Sequence, residues 1–140
     1  MPETVVIRGR GVVKGKAEGE ALVADATLSF WGEVDPVAGT VISVGHPLEG
    51  RSLKGKVLVI RSTKGSSGTP MILKLCALEG QAPAALVNVE VDGLAAFGCI
   101  VNGIPMVTDL ERDPFSAIAN GDWVTVDADA GMLTVQPARA

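Results

Sequence analysis

Tyrosine is absent and aromatic residues make up only 4% of this 140-residue chain, so its core must be built from Val, Leu, Ile and Ala. Histidine occurs once, at His46, and the two cysteines, Cys76 and Cys99, sit in apolar surroundings without metal-ligand spacing. They are expected as buried free thiols, so any metal must come from elsewhere. No basic cluster offsets the net charge of −4, which argues against a nucleic-acid or anionic-membrane surface. No run approaches the roughly 20 apolar residues of a membrane span, and no signal-peptide pattern opens the chain. A cytoplasmic protein with one domain over residues 1–140 is expected, since the length and 47% hydrophobic content suit one core.

The stretch from Val57 to Leu75 organises what is present. A β-branched run, Val57-Leu58-Val59-Ile60, passes into the small-residue turn Lys64-Gly65-Ser66-Ser67-Gly68, and then into a segment with helical spacing that begins near Pro70. Strand, loop and helix are expected in that order. Such a loop brings backbone N–H groups and two hydroxyls to a helix N-terminus, where unsatisfied amides and the helix dipole favour negative charge. The same Gly-Ser turn also serves as an ordinary loop and cap.

Before this unit, Thr4 to Arg8 reads as a strand broken by Gly9 and Gly11. Residues Gly15 to Ala24 alternate as a half-solvated strand, whose glycines predict a bulge or bend in preference to a close backbone approach. Trp31 reads as core or interface filler. Asp35-Pro36 to Gly39 marks a turn, Val41 to Val44 a short strand, and Gly45 to Gly50 a second turn in which His46 is a structural or solvated loop residue. After it, Gly80 and Pro83 stop the helix, and Ala84 to Val89 reads as a strand buried on both faces. Asp92 to Val101 predicts a helix packed through Leu94, Phe97, Cys99 and Val101. Asp113-Pro114 caps another helix to about Ala119, and Trp123 to Val126 pairs with Met132 to Val135 as a hairpin. The pattern is α/β, with a mixed, barrel-like sheet and short crossover helices.

Five ordered motifs carry a family resemblance. They are Asp35-Pro36-x-x-Gly39-Thr40-Val41-Ile42, His46-Pro47-Leu48-x-Gly50-x-Ser52-x-x-Gly55, Lys64-Gly65-Ser66-Ser67-Gly68, Ala82-Pro83-Ala84-Ala85-Leu86-Val87-Asn88 and Gly103-Ile104-Pro105-Met106-Val107. Together they resemble the small, swivelling-domain subunit of the aconitase X family, over roughly Phe30 to Val135. The resemblance implies a single swivelling β/β/α domain and a hydro-lyase active only with a large subunit that carries an iron–sulfur cluster, none being bound by this chain. It implies dehydration of a small hydroxy-carboxylate: cis-3-hydroxy-L-proline, giving 1-pyrroline-2-carboxylate, in bacterial members, and phosphomevalonate in archaeal ones.

By the same resemblance Ser66 is the base that removes the proton next to the substrate carboxylate, with Ser67 as second choice, while Lys64, Gly65, Ser67 and Gly68 bind substrate. Ser66-Ser67-Gly68-Thr69-Pro70 is closer to the bacterial form, and no Arg or Lys cluster offers a phosphate site, so cis-3-hydroxy-L-proline is the expected substrate. Phosphomevalonate is the alternative. A non-catalytic regulatory subunit is a further reading, as is a phosphocarrier domain of similar architecture. The carrier would need a histidine where this chain has serines.

Overall fold

The computed structural model describes residues 4–63 and 68–138. Ten strands and four helices follow one another: β1 (Val5–Arg8), β2 (Arg10–Val13), β3 (Lys16–Leu28), α1 (Phe30–Glu33), β4 (Val34–Asp35), β5 (Thr40–Val41), β6 (Val57–Thr63), α2 (Thr69–Leu78), β7 (Ala85–Asn88), α3 (Gly93–Asn102), β8 (Met106–Thr108), α4 (Pro114–Ala117), β9 (Trp123–Asp127) and β10 (Met132–Gln136).

Eight strands form one mixed sheet in the order β1-β10-β9-β3-β6-β7-β8-β2. The first two strands stand at opposite edges of that order, yet only Gly9 separates them in the chain. The sheet must therefore curl until its edges nearly meet. Strand β3 makes the curl possible by serving both halves: Lys16 to Glu20 pair antiparallel with β9, and Ala21 to Leu28 pair parallel with β6.

The parallel strands β6 and β7 are apolar throughout Val57 to Ile60 and Ala85 to Val87 because both of their faces are covered. Alternation divides them between two cores. Val57, Val59, Ala85 and Val87 pack inside the curl against Val124, Val126, Leu133, Val135 and Ile7. Leu58, Ile60 and Leu86 point the other way, to Leu73 and Cys76 of α2 and to Ala95 and Cys99 of α3. The layers are β/β/α. No helix among the described residues is long and apolar enough to cross a membrane.

Several expectations change in detail. The chain breaks at Gly9 but resumes immediately as β2, in which Gly11 pairs with Val107. The expected bulge in the glycine-rich part of β3 is not there; the register shift falls between Ala24 and Thr27. Gly19 instead lies where the backbone of Gly55 passes, and a Cβ on it would come within 2.3 Å of the Gly55 carbonyl oxygen. Close approach is its role. Of the expected Val41 to Val44 strand only Val41 is in β5, with Thr40 before it, because a turn with Gly45 at φ 83° begins at Ser43. Helix α4 ends at Ala117, where Ile118 returns to extended backbone and buries its side chain.

The largest difference is the rotation of α3. Cys99 is buried as expected, but Leu94, Phe97 and Val101 are exposed, and the helix packs through Ala95, Gly98 and Cys99. Small residues face inward because α2 lies close: a Cβ on Gly98 would come within 2.7 Å of Leu73 and 3.1 Å of the Pro70 Cα.

Candidate active site

The C-terminal ends of parallel strands, where helices begin, are the usual place for a site in an α/β sheet. Here β6 ends at Thr63 and α2 begins at Thr69, so the candidate loop lies between them. Of the residues expected to form the site, Lys64, Gly65, Ser66 and Ser67 lie outside the described residues. Gly68 is described, at the N-cap of α2. It has no side chain to accept from the first amides of the helix, and Pro70 occupies the first turn. The ten-residue helix thus has its positive end at the residue that follows the loop in the chain.

The framework where β6 ends and α2 and α3 begin is polar and partly buried. Thr63 donates its hydroxyl hydrogen to Asp92 Oδ2 at 3.1 Å, and Asp92 Oδ1 accepts from the Leu94 N–H at 3.1 Å, capping α3. One carboxylate therefore ties the end of β6 to the start of α3. The Asn88 amide at the end of β7 and the Thr69 hydroxyl at the start of α2 are fully buried and have no hydrogen-bond partner among the described residues. Native structures contain few such groups, which makes this corner polar beyond what its packing requires. Its motif residue Asn88 was legible as part of the family pattern, but its full burial carried no sequence signal.

Trp31 is neither core nor filler of a closed space. It is 57% exposed, and its indole lies directly on Gly68. A Cβ at Gly68 would meet ring atoms at 2.6 and 2.8 Å, and Gly68 has φ −79°, so the glycine is required by the indole and not by backbone conformation. Gly68→Ala is accordingly expected to displace the ring and destabilise the chain by about 1–2 kcal/mol, and Trp31→Ala should cancel most of that loss. A double-mutant cycle measured by urea unfolding checks this; strict additivity would remove the indole as the cause.

His46 is structural. Its Nε2 donates to the Thr27 carbonyl at 2.8 Å, so Nδ1 is the nitrogen that accepts from the Leu48 N–H at 3.0 Å. Both ring nitrogens are engaged in shaping the turn, and neither is placed on the β6–α2 loop as a carrier histidine would be.

The donor set does not fit an iron–sulfur cluster. Cys76 and Cys99 face the sheet from α2 and α3, and burial pushes their thiols up to about 11 and about 12, so they are protonated where cluster ligands are thiolates. Among the described residues no group of three His, Cys, Asp or Glu side chains could hold a metal ion.

On the opposite side of the strand ends, a cleft of about 410 Å³ is lined by Arg61, Arg112, Asp109 and Asp113 beside Val89, Leu110 and Pro114. Arg61 is held by Asp25 at 2.6 Å and stacks 5.4 Å over Phe115, while Asp109, at φ 52°, is held by Arg10 at 2.7 Å. Their spacing along the chain carries no sign that these arginines line one cleft. Two guanidinium and two carboxylate groups line it, so it carries no excess of formal positive charge.

Comparison with known proteins places this geometry. The chain is 43% identical over 127 residues, 91% of its length and 96% of the relative's, to a phosphomevalonate dehydratase small subunit of Methanocella arvoryzae. It is 40% identical over 124 residues, 89% of its length and 95% of the relative's, to the protein of the same name from Methanothermobacter thermautotrophicus. A chain of the holo-form crystal structure of Thermococcus kodakaraensis aconitase X superposes with a TM-score of 0.88 at 35% identity, covering 95% of this chain and 99% of that one. Residues 6–135 match the aconitase X swivel-domain model. The curled β/β/α sheet, with its loop between β6 and α2, is therefore an aconitase X swivel domain, and the chain belongs to that family.

Proposed function

We propose that this chain is the small subunit of a two-chain hydro-lyase of the aconitase X type that removes water from phosphomevalonate, with the iron–sulfur cluster held by a large subunit. The observation that carries the substrate is the 43% identity, over nearly the whole of both chains, to a protein named as a phosphomevalonate dehydratase small subunit. This displaces cis-3-hydroxy-L-proline, which rested on a short loop match and on the absence of a phosphate-binding cluster. Neither argument is strong against similarity over the full domain, because a phosphate site can lie wholly on the other chain.

Both substrates present the same reacting unit to the loop: a hydrogen next to a carboxylate and a hydroxyl one carbon further on. The role proposed for this chain concerns that shared part. Ser66, with Ser67 beside it, takes up the proton next to the carboxylate. Lys64 and the amides of Gly65 and Gly68, together with the positive end of α2, stabilise the negative charge on the serine oxygen and on the substrate. A serine is a weak base without such support, and a helix N-terminus whose N-cap has no side chain suits the purpose. The partly buried Thr63–Asp92 link supports this by fixing the end of β6 against α3.

The test is to purify the chain with its large subunit and measure water loss from each substrate. Turnover of phosphomevalonate without turnover of cis-3-hydroxy-L-proline is expected. The reverse preference would overturn the substrate, and a stable complex inert toward both would favour a regulatory subunit.

A further inference from the structure

Asn120 continues the sheet with its side chain. Strand β9 pairs with β3 as far as Glu20, and the chain just before β9 stays on the same edge: the Ala21 N–H donates to the Asp122 carbonyl at 2.7 Å, and the Gly121 N–H to the Ala21 carbonyl at 3.1 Å. One step further the Asn120 carboxamide takes the place of a peptide group. Its Oδ1 accepts from the Val23 N–H at 2.7 Å, and its Nδ2 donates to the Val23 carbonyl at 3.2 Å. This latch is an exposed side chain, and the residue after it is glycine, which has no Cβ to shield its own backbone nitrogen.

We propose that Asn120 is a site of spontaneous covalent modification, converting through a cyclic imide with Gly121 to aspartate or isoaspartate and so opening the latch on β3. The Gly121 nitrogen gives its proton to hydroxide and bonds to Asn120 Cγ; the Cγ–Nδ2 bond breaks, and ammonia leaves with a proton taken from water. Water then opens the imide at either of its carbonyls. The site favours this in three ways. Both reacting groups face one edge of β3, at Ala21 and Val23, and the Val23 N–H already lies on Oδ1, the atom where negative charge develops. The side-chain bonds that must open are exposed, where local opening costs least.

A second Asn-Gly pair, Asn102-Gly103, supplies the contrast. Asn102 Nδ2 is drawn back to the Gly98 carbonyl at 2.8 Å, and the Gly103 N–H is directed to the Cys99 and Ile100 carbonyls, so the last turn of α3 must unwind before the two groups meet. The product at 120 cannot restore what it replaces. A carboxylate has no hydrogen to give the Val23 carbonyl, and isoaspartate adds a carbon to the backbone before Gly121. The new charge also enters a cleft of about 700 Å³ that Asp25 and Asp122 already line.

The full chain is held at alkaline pH, folded and in concentrated urea, and digested with trypsin, which places the two pairs in separate peptides, residues 75–112 and 113–139. Mass spectrometry follows the gain of one mass unit, and fragment ions assign it to Asn102 or Asn120. In the folded chain Asn120 is expected to convert at least about tenfold faster than Asn102, and in urea the two should convert at similar rates. Asn102 converting as fast as Asn120 in the folded chain, or Asn120 intact there after the urea sample has fully converted, would overturn the site. Asn120→Asp is expected to lower Tm by about 3–6 °C, and a Tm within about 1 °C of wild type would overturn the latch. Each outcome leaves the two-chain reading where it stands, because this inference does not rest on it.

Discussion

Ser66→Ala in the reconstituted two-chain enzyme is expected to lower kcat by about 10³-fold, the range for loss of a positioned general base, with little change in KM. The hydroxyl is asked to act on the proton and not to hold the ground state, so the loss should fall on kcat. Assembly with the large subunit and the colour of its cluster should be unchanged, because the substitution removes a single oxygen and no cysteine. Ser67→Ala separates the two hydroxyls: a small effect there and a large one at Ser66 is the expected pair, and the opposite pair would move the base by one residue. Near-normal turnover in both would exclude the loop as its source. Steady-state kinetics together with gel filtration of the complex decide among these outcomes.

Gly11→Ala is expected to have the largest effect on stability, about 3 kcal/mol or more, although it adds a single methyl group. That carbon would lie 1.8 Å from the Ala128 carbonyl oxygen and 2.8 Å from its carbonyl carbon. Neither is the end of a side chain that can swing aside. Ala128 is itself buried, and its N–H is bonded to the Gly15 carbonyl at 2.9 Å, so relief requires edge strand β2 to part from the turn between β9 and β10. Gly93→Ala is the matched contrast. Nothing lies within 4 Å of a Cβ there and α3 begins at that residue, so the same change should stabilise by about 0.5 kcal/mol through the unfolded chain. Urea midpoints of the two variants, moving in opposite directions, would locate the effect in the crossing of the backbones; a loss at Gly11 no larger than about 0.5 kcal/mol would refute it.

These two predictions differ in how far the sequence could have supported them. The strand and helix that flank Ser66 were legible because a β-branched run and a Pro-initiated helix leave a local signature, and β6, α2 and β7 stand where that signature puts them, whereas the role given to Ser66 came from the family resemblance. The Asp113-Pro114 cap was legible for the same reason: Asp113 accepts from the Phe115 N–H at 2.9 Å and from the Ser116 hydroxyl at 2.9 Å. Gly11 was not. It looked like a strand breaker, since a glycine that ends a strand and one that lets another backbone pass read alike until the remote segment is known. The phase of α3 failed for a related reason. Gly93-Leu94-Ala95-Ala96-Phe97-Gly98-Cys99-Ile100-Val101 is apolar on every side, so periodicity cannot choose the buried face, and fit against Pro70 and Leu73 chooses it instead. The cleft between Arg61 and Arg112 shows the same limit for charge, because partners brought together by three different strand ends leave no spacing to read.

The order of strands in the sheet also bears on how the domain comes to be folded. Strand β1 pairs with β10, β2 with β8, and the first half of β3 with β9, so residues 5–20 find their neighbours only within 106–136. A ribosome emitting this chain releases three strands long before anything exists for them to pair with, apart from the stretch of β3 that awaits β6. Non-local closure of this kind is slow, and unpaired strand edges are open to wrong partners in the interval. Synthesis of the domain therefore includes a period when its N-terminal fifth, residues 5–28, is out but its strand partners are not.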